Sequence, residues 1–238
     1  MSTAYFDFDD TLFPGDSILY WKRYYYQQRP TRRWFQIFSL LGIFLYLFRA
    51  IDSNFLKRIF LMPLCYENET LVSSLAKQFV EKELKPRLIN EVISELTYHS
   101  SRKKRIVIIS ASPYFYLKYL SDVCPKLTIV GTKVSFPKSG FFRMPQFSSS
   151  LGNMKGENKL AYILKSNDEP KTGKECYAYS DSHWDLPLLK FCEFPIAVCP
   201  NMKLLKKAKE YKWRVIVLQN FTEKIIHLFK KVALIVLH

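Results

Sequence analysis

The 238-residue sequence predicts an α/β fold, a Rossmann-like parallel sheet with helices on both faces. Short apolar runs of strand length alternate with helical periodicities, the pattern of strands buried on both sides. Three of those runs end in residues suited to chemistry: Asp7 with Asp9, Ser110, and Asp181. Sites on such sheets lie at the carboxyl ends of the strands.

The elements follow in order. Residues 4–8 are a short apolar run ending in carboxylates, a buried strand followed by a turn at Pro14 and Gly15. Residues 17–85 read as helical, with Leu71, Leu75, Ala76, Phe79 and Val80 on one face, and Pro86 closes the stretch. A further helix is expected over 90–98, with Val92, Ile93 and Leu96 on one side. Residues 105–109 form a second buried strand that ends at Ser110, with a helix over 113–120 after a tight turn. Strands are expected over 127–130 and 132–136, and a helix over 158–164. A strand over 176–179 ends at Ser180 and Asp181. Helix 186–191, strand 195–198, basic helix 202–211 and strand 215–218 complete the reading.

Composition narrows the class. Hydrophobic residues make up 48% and aromatics 16%, which suits a folded globule and not a disordered chain. With seven glycines, Gly-rich linkers are not expected. Lys and Arg number 36 against 21 Asp and Glu, a net charge of +15. Such a surplus points to a polyanionic partner (nucleic acid, anionic lipid or a phosphorylated substrate) or to a merely solubilising surface. The five cysteines are odd in number and show no C-x-x-C pair, so neither a zinc site nor a disulfide framework is expected. The four histidines, His99, His183, His227 and His238, have no metal-ligand spacing. No charged leader followed by an apolar run opens the sequence, so a cytoplasmic location is expected, with peripheral contact at the inner face of the membrane as a further option.

Four motifs carry chemistry. In Asp7-Phe8-Asp9-Asp10-Thr11, two carboxylates two residues apart at a strand end can share one reaction centre with a metal ion, or cap the next helix. A carboxylate can also be the covalent nucleophile of phosphoryl transfer. Ser110 can bond a phosphate oxygen, or it or Ser112 can cap the helix that follows. In Lys155-Gly156-Glu157-Asn158-Lys159, a lysine at a helix start can neutralise a phosphoryl group, or lie on the surface. In Ser180-Asp181-Ser182-His183-Trp184-Asp185, two carboxylates four apart suit a metal ligand and its supporting partner, or a helix cap.

In their order and wording these motifs resemble the haloacid dehalogenase (HAD) superfamily, in particular its phosphoserine-phosphatase-like subfamily IB. That subfamily includes a bacterial phosphatidylglycerophosphatase branch, which the local wording resembles most. The resemblance spans about residues 4–218. It implies a HAD-type phosphatase: Asp7 attacks phosphorus, and Asp9 protonates the leaving oxygen and then activates water. It gives Thr11 and Ser110 the phosphoryl oxygens. It places Mg2+ on the Asp7 and Asp181 carboxylates and the Asp9 main-chain carbonyl, supported by Asp185. The catalytic lysine is Lys155 by the Lys-Gly-Glu string of phosphoserine phosphatases, or Lys159 by the Gly-Glu-x-Lys pattern of the lipid branch. Lys159 is preferred because the other motifs fit that branch better. The sequence departs from relatives at Ser180, where many have glycine, and at Ala111-Ser112, where phosphoserine phosphatases have Gly-Gly.

The family also implies a helical cap inserted after the first motif. Residues 15–85 take that place, leaving 1–14 and 86–238 as the catalytic core. Asp16 and Arg58 match substrate-binding positions of phosphoserine phosphatases. Within the cap, residues 34–48 form an apolar run shorter than the ~20 residues that cross a bilayer. It reads as a buried helix or as an interfacial one, with Arg29, Arg32, Arg33 and Arg49 beside it and Tyr20, Trp21 and Tyr24 to Tyr26 upstream. Residues 225–237 form a second such segment. The expected substrate is a phosphomonoester, either a lipid phosphate such as phosphatidylglycerophosphate or a small soluble one of the phosphoserine or histidinol phosphate kind. The alternative outside catalysis is a silent basic protein holding nucleic acid or an anionic membrane; the intact motifs and the lack of a nucleic-acid motif weigh against it. Oligomeric state is not legible.

Overall fold

The computed structural model describes residues 2–140, 142–166 and 174–218; the segment 225–237, His227 and His238 lie outside them. Strands β1 (Thr3–Phe6), β2 (Arg105–Pro113), β3 (Leu127–Thr132), β6 (Tyr177–Ser180), β7 (Phe194–Val198) and β8 (Arg214–Ile216) form one sheet in the order β3-β2-β1-β6-β7-β8. Every pairing in it is parallel. From β1 the chain builds outward through β2 to β3, then returns to the other side of β1 and builds out through β6 to β8. The reversal between β1 and β6 leaves a crevice at their carboxyl ends, where Asp7 and Asp181 follow.

Period-two alternation sends side chains to opposite faces of this sheet. Phe6, Ile106, Ile108, Tyr179 and Ile196 face one core, with Val92 and Leu96 of α5 (Asn90–Ser101). Tyr5, Val107, Ile109, Ala178 and Ala197 face the other. There they meet Ile163 of α7 (Glu157–Lys165), Leu189 of α8 (Leu186–Phe191) and Leu204 of α9 (Met202–Glu210). Burial on both faces is why these strands read as continuous apolar runs.

The helical stretch before α5 holds four α-helices joined by short 3-10 and π turns: α1 (Ser17–Gln28), α2 (Gln36–Leu47), α3 (Ser53–Leu61) and α4 (Glu69–Phe79). Short polar side chains start three of them: Asp16, Asp52 and Asn68 accept from the main-chain N–H groups of Ile18, Phe55 and Leu71. The aromatics of α1 are not available to a membrane. Tyr20, Trp21, Tyr24, Tyr25 and Tyr26 are buried, and Trp21 packs edge-on against Phe79 and Phe115. Glu67 ties this layer together, bonded to the Tyr25 hydroxyl and paired with Arg29 and Arg32. Those two half-buried arginines are therefore engaged by Glu67.

Two local expectations change. Strand 132–136 is divided: Thr132 ends β3, and β4 (Val134–Ser135) pairs antiparallel with β5 (Gln146–Phe147). The helix expected over 113–120 is a short α6 (Tyr114–Leu117) and one 3-10 turn, because β2 continues through Pro113. No described helix is long and apolar enough to cross a membrane.

One buried group makes stability depend on pH. His99 is buried with Nε2 2.8 Å from the Tyr179 hydroxyl, which donates to Glu95. Burial, helped by Lys104, lowers its pKa from 6.5 to about 4. Between those values the unfolded chain binds a proton that the native state refuses. Stability contributed by neutral His99 is thus complete above pH 6.5 and lost as pH falls toward 4. Urea midpoints measured across that window should fall less steeply for His99→Gln than for wild type, by about 1–2 kcal/mol after allowance for solvent screening.

Candidate active site

The site grows from the loop after β1. Asp7 continues β1 with its N–H bonded to the Tyr179 carbonyl of β6. The chain then folds tightly: Leu12 and Phe13 N–H groups both bond the Phe8 carbonyl, and Asp10 takes a positive φ of 55°. Short polar residues tolerate that left-handed conformation best. The turn packs Phe8, Leu12 and Phe13 into the core and leaves Asp7, Asp9 and Thr11 at the crevice.

Lys159 sits at the centre. Its Nζ lies 2.8 Å from Asp7 Oδ1 and 2.7 Å from Asp185 Oδ2, and its side chain is only 2% exposed. Gly156 starts α7 with φ 59°, and a Cβ there would come within 3.3 Å of the Trp184 carbonyl. That close approach sets the first turn of α7, and hence Lys159, against the fourth motif. Asp185 accepts a second bond, from Ser180 Oγ at 2.7 Å. Ser180 thus orients the carboxylate beneath the lysine.

Asp9 has its own network. Its Oδ1 accepts from the Ser17 N–H at 2.9 Å, and its Oδ2 accepts from Ser112 Oγ. Ser17 Oγ in turn lies 2.8 Å from both Ser112 Oγ and the Tyr116 hydroxyl. Ser110 accepts from the Ser112 N–H, and no side chain caps α6, so neither serine is the helix cap that was one reading of the motif. Thr11 Oγ1 accepts from the Asp181 N–H at 3.0 Å, which joins the first and fourth motifs.

Electrostatics separates the two carboxylates of the first motif. Burial raises the Asp7 pKa, Lys159 opposes it, and the Asp185 and Asp181 carboxylates raise it further. Burial alone would lower the Lys159 pKa, but Asp185 and Asp7 together hold it above its usual value, so the ammonium stays charged. The Lys159 ammonium therefore faces two carboxylates, and a third, Asp181, lies near enough to Asp7 to raise its pKa. Burial, then Asp16, raises the Asp9 pKa to about 6, against the opposing bonds from Ser112 and Ser17. Such a carboxyl can hold a proton near neutral pH.

The unbalanced negative charge suits a cation, and the donors that lie together there are hard oxygens, the Asp7 and Asp181 carboxylates. Among the described residues there is no cluster of three or more His, Cys, Asp or Glu side chains that could hold a metal. Mg2+ fits this sparse set, since it is commonly held by one or two carboxylates, with substrate oxygens and water completing its shell.

The remaining candidates lie at the rim. Asp16 caps α1 close enough to raise the Asp9 pKa. Lys155 lies over the Trp184 ring at 4.7 Å; burial and Lys57 lower its pKa. Arg58 points to the Pro145 carbonyl, 2.6 Å away, and to the Phe55 ring, and no bond joins it to the carboxylates. Its neighbour Lys57 instead reaches the Ala111 carbonyl at 3.2 Å, and Asn54 bonds Asn153 at 2.6 Å. His183 lies beside Asn201 and Trp184.

Sequence reasoning missed Ser17, Tyr116, Asn54 and Lys57. Ser112 was visible only as a helix cap. A hydroxyl's partner across 95 residues leaves no spacing signal, whereas a strand-end carboxylate does.

A doubly wound parallel sheet with strand-end carboxylates and a buried lysine at its switch point defines a hydrolase centre of the carboxylate type. The chain belongs to the haloacid dehalogenase-like hydrolase family, which it matches over residues 4–190. It is 24% identical to the inhibition of morphological differentiation protein of Streptomyces azureus, over 90% of this chain and 78% of that one. It is 22% identical to the histidinol-phosphatase of Neisseria meningitidis, over 90% and 97%. Among solved structures, a Bordetella pertussis protein of unknown function superposes with TM-score 0.75 at 20% identity, over 91% of this chain and 98% of that one. A phosphoserine phosphohydrolase-like protein of Francisella tularensis gives 0.57 at 16%, over 98% and 100%. These likenesses support the shared fold.

Proposed function

We propose that this chain is a Mg2+-dependent phosphomonoester phosphatase that works through an aspartyl-phosphate on Asp7. The observation that carries the proposal is the pairing of Asp7 with buried Lys159, beside a second carboxylate, Asp9, whose pKa is raised to about 6. Asp7 Oδ2 attacks phosphorus while Lys159 holds Oδ1. The P–O bond to the leaving group breaks, and the departing oxygen takes the proton of Asp9. Asp9, now a carboxylate, takes a proton from water. That water attacks phosphorus, the bond to Asp7 breaks, and inorganic phosphate leaves. Ser110 and Thr11 hold phosphoryl oxygens. Mg2+, held by Asp7, Asp181 and the Asp9 carbonyl, would offset charge on the phosphoryl oxygens. Asp185 positions Lys159.

Residues 15–85 serve in this reading as the cap over a core of 1–14 and 86–238. Support comes from their place between β1 and β2 and from the reach of Lys57 to Ala111 near the end of β2 and of Asn54 to Asn153 before α7. Asp16, Lys57 and Lys155 then face the substrate's leaving group. Arg58 is a weaker candidate, because its guanidinium is engaged by Pro145. The histidinol-phosphatase relative favours a small soluble phosphate. The apolar face of α2 favours a lipid phosphate such as phosphatidylglycerophosphate.

The test is phosphate release from phosphatidylglycerophosphate in detergent, lysophosphatidate, phosphoserine, histidinol phosphate and p-nitrophenyl phosphate, with Mg2+ and with EDTA. Turnover in Mg2+ alone supports the reading, and the best substrate selects the class. Asp9→Asn should lower kcat by about 10²–10⁴-fold while leaving Mg2+ dependence intact.

A further inference from the structure

Helix α2 is built inside out. Its large apolar residues Ile37, Leu40, Leu41, Phe44, Leu47 and Phe48 recur at helical spacing and are all more than half exposed. Its fully buried residues are the small Ser39 and Gly42, with Phe38 and Ile43 partly buried against the core beside them; Gly42 lets α2 lie against Ile59 and Leu56 of α3, where a Cβ would come within 2.8 Å of Ile59. A contiguous apolar stripe of this kind marks a contact with an apolar partner.

We propose that this face of α2 docks on the surface of an anionic lipid bilayer. Charge selects that occupant. Between Asp16 and Asp52 the chain has no acidic residue. Arg33 and Arg49, both exposed, flank the stripe at its two ends, and Trp34, 52% exposed, lies at its start. Aromatic rings and arginines around an apolar face are the composition of a helix lying in the headgroup layer. A second copy of the chain is the poorer occupant, because apposing this face on itself brings Arg33 and Arg49 toward like charges. The twelve residues of α2 reach about 18 Å, too short to span, so the helix lies in the interface.

The surface is also joined to the site. Helix α3, packed on the inner side of α2, carries Lys57 and Asn54 to the catalytic rim. Docking α2 would therefore hold the rim about one helix layer, roughly 10 Å, from the headgroups. The docking surface stands independently of the chemistry proposed for the site.

The test is sedimentation of the full chain with vesicles of phosphatidylcholine alone or with one part in three phosphatidylglycerol, alongside its mass by analytical ultracentrifugation. The expected result is binding to the anionic vesicles that weakens with salt. Leu40→Asp with Phe44→Asp should lower it at least tenfold and leave p-nitrophenyl phosphate turnover unchanged. Arg33→Glu or Arg49→Glu should each lower it about fivefold or more. Three results would overturn the proposal: no binding of folded wild type, binding unchanged in the double aspartate variant, or a wild-type dimer that the double variant dissociates without any vesicle binding.

Discussion

Asp7→Asn should abolish phosphate release, by at least about 10³-fold, from a protein that still folds. The amide keeps the volume of the carboxylate and can still accept the Phe8 N–H and one bond from Lys159 at the Oδ1 position. What it loses is the charge and the nucleophilic oxygen. The fold should be retained, because Lys159 keeps Asp185 as its partner, and burial and the neighbouring Asp185 and Asp181 carboxylates already disfavour the charge on Asp7. Near-wild-type urea stability with lost turnover therefore separates a chemical role from a structural one. Loss of both would show that Asp7 acts mainly as a structural partner of Lys159.

Lys159→Met should produce the largest loss of stability of any single substitution in the site. The methionine fills a similar volume, but it leaves Asp7 and Asp185 buried without their cation. Removing one partner of a buried pair typically costs about 3–5 kcal/mol. Activity should be lost with it. The comparison that assigns the role is Lys155→Met, which removes a partly exposed lysine from the Trp184 ring and should change stability by less than about 1 kcal/mol. Adding Asp185→Asn to Lys159→Met should recover part of the loss, since one of the two stranded charges is gone. Equal losses from the two lysine variants would contradict the central place given to Lys159.

The sheet was legible because each central strand is buried on both faces and reads as an unbroken apolar run, as in Ile106–Val107–Ile108–Ile109. The strand-end carboxylates were legible for the same reason: polar residues directly after such a run fall at the carboxyl edge of the sheet. The choice between Lys155 and Lys159 was finer. Only the folded chain shows that Lys159, in the first turn of α7, is buried against Asp7 and Asp185, while Lys155 precedes the helix at the rim. The orientation of α2 was ambiguous, since an apolar run can face a core or a membrane equally well. It was resolved by Gly42, whose missing side chain puts the small face inward. Arg58 illustrates the opposite limit: a match in motif position did not anticipate that Lys57, one residue earlier, would reach Ala111, next to Ser110 in β2.

The most direct measurement is acid quenching of the enzyme during turnover of a 32P-labelled phosphomonoester, followed by peptide mapping. The account predicts a hydroxylamine-labile acyl phosphate on the peptide that contains Asp7. With a leaving group that needs no proton, such as p-nitrophenolate, it should accumulate further in Asp9→Asn, where the water-activating carboxylate is gone, and be absent in Asp7→Asn. Turnover with no trapped label in any of the three proteins, or label on a peptide carrying Ser110 instead, would contradict it.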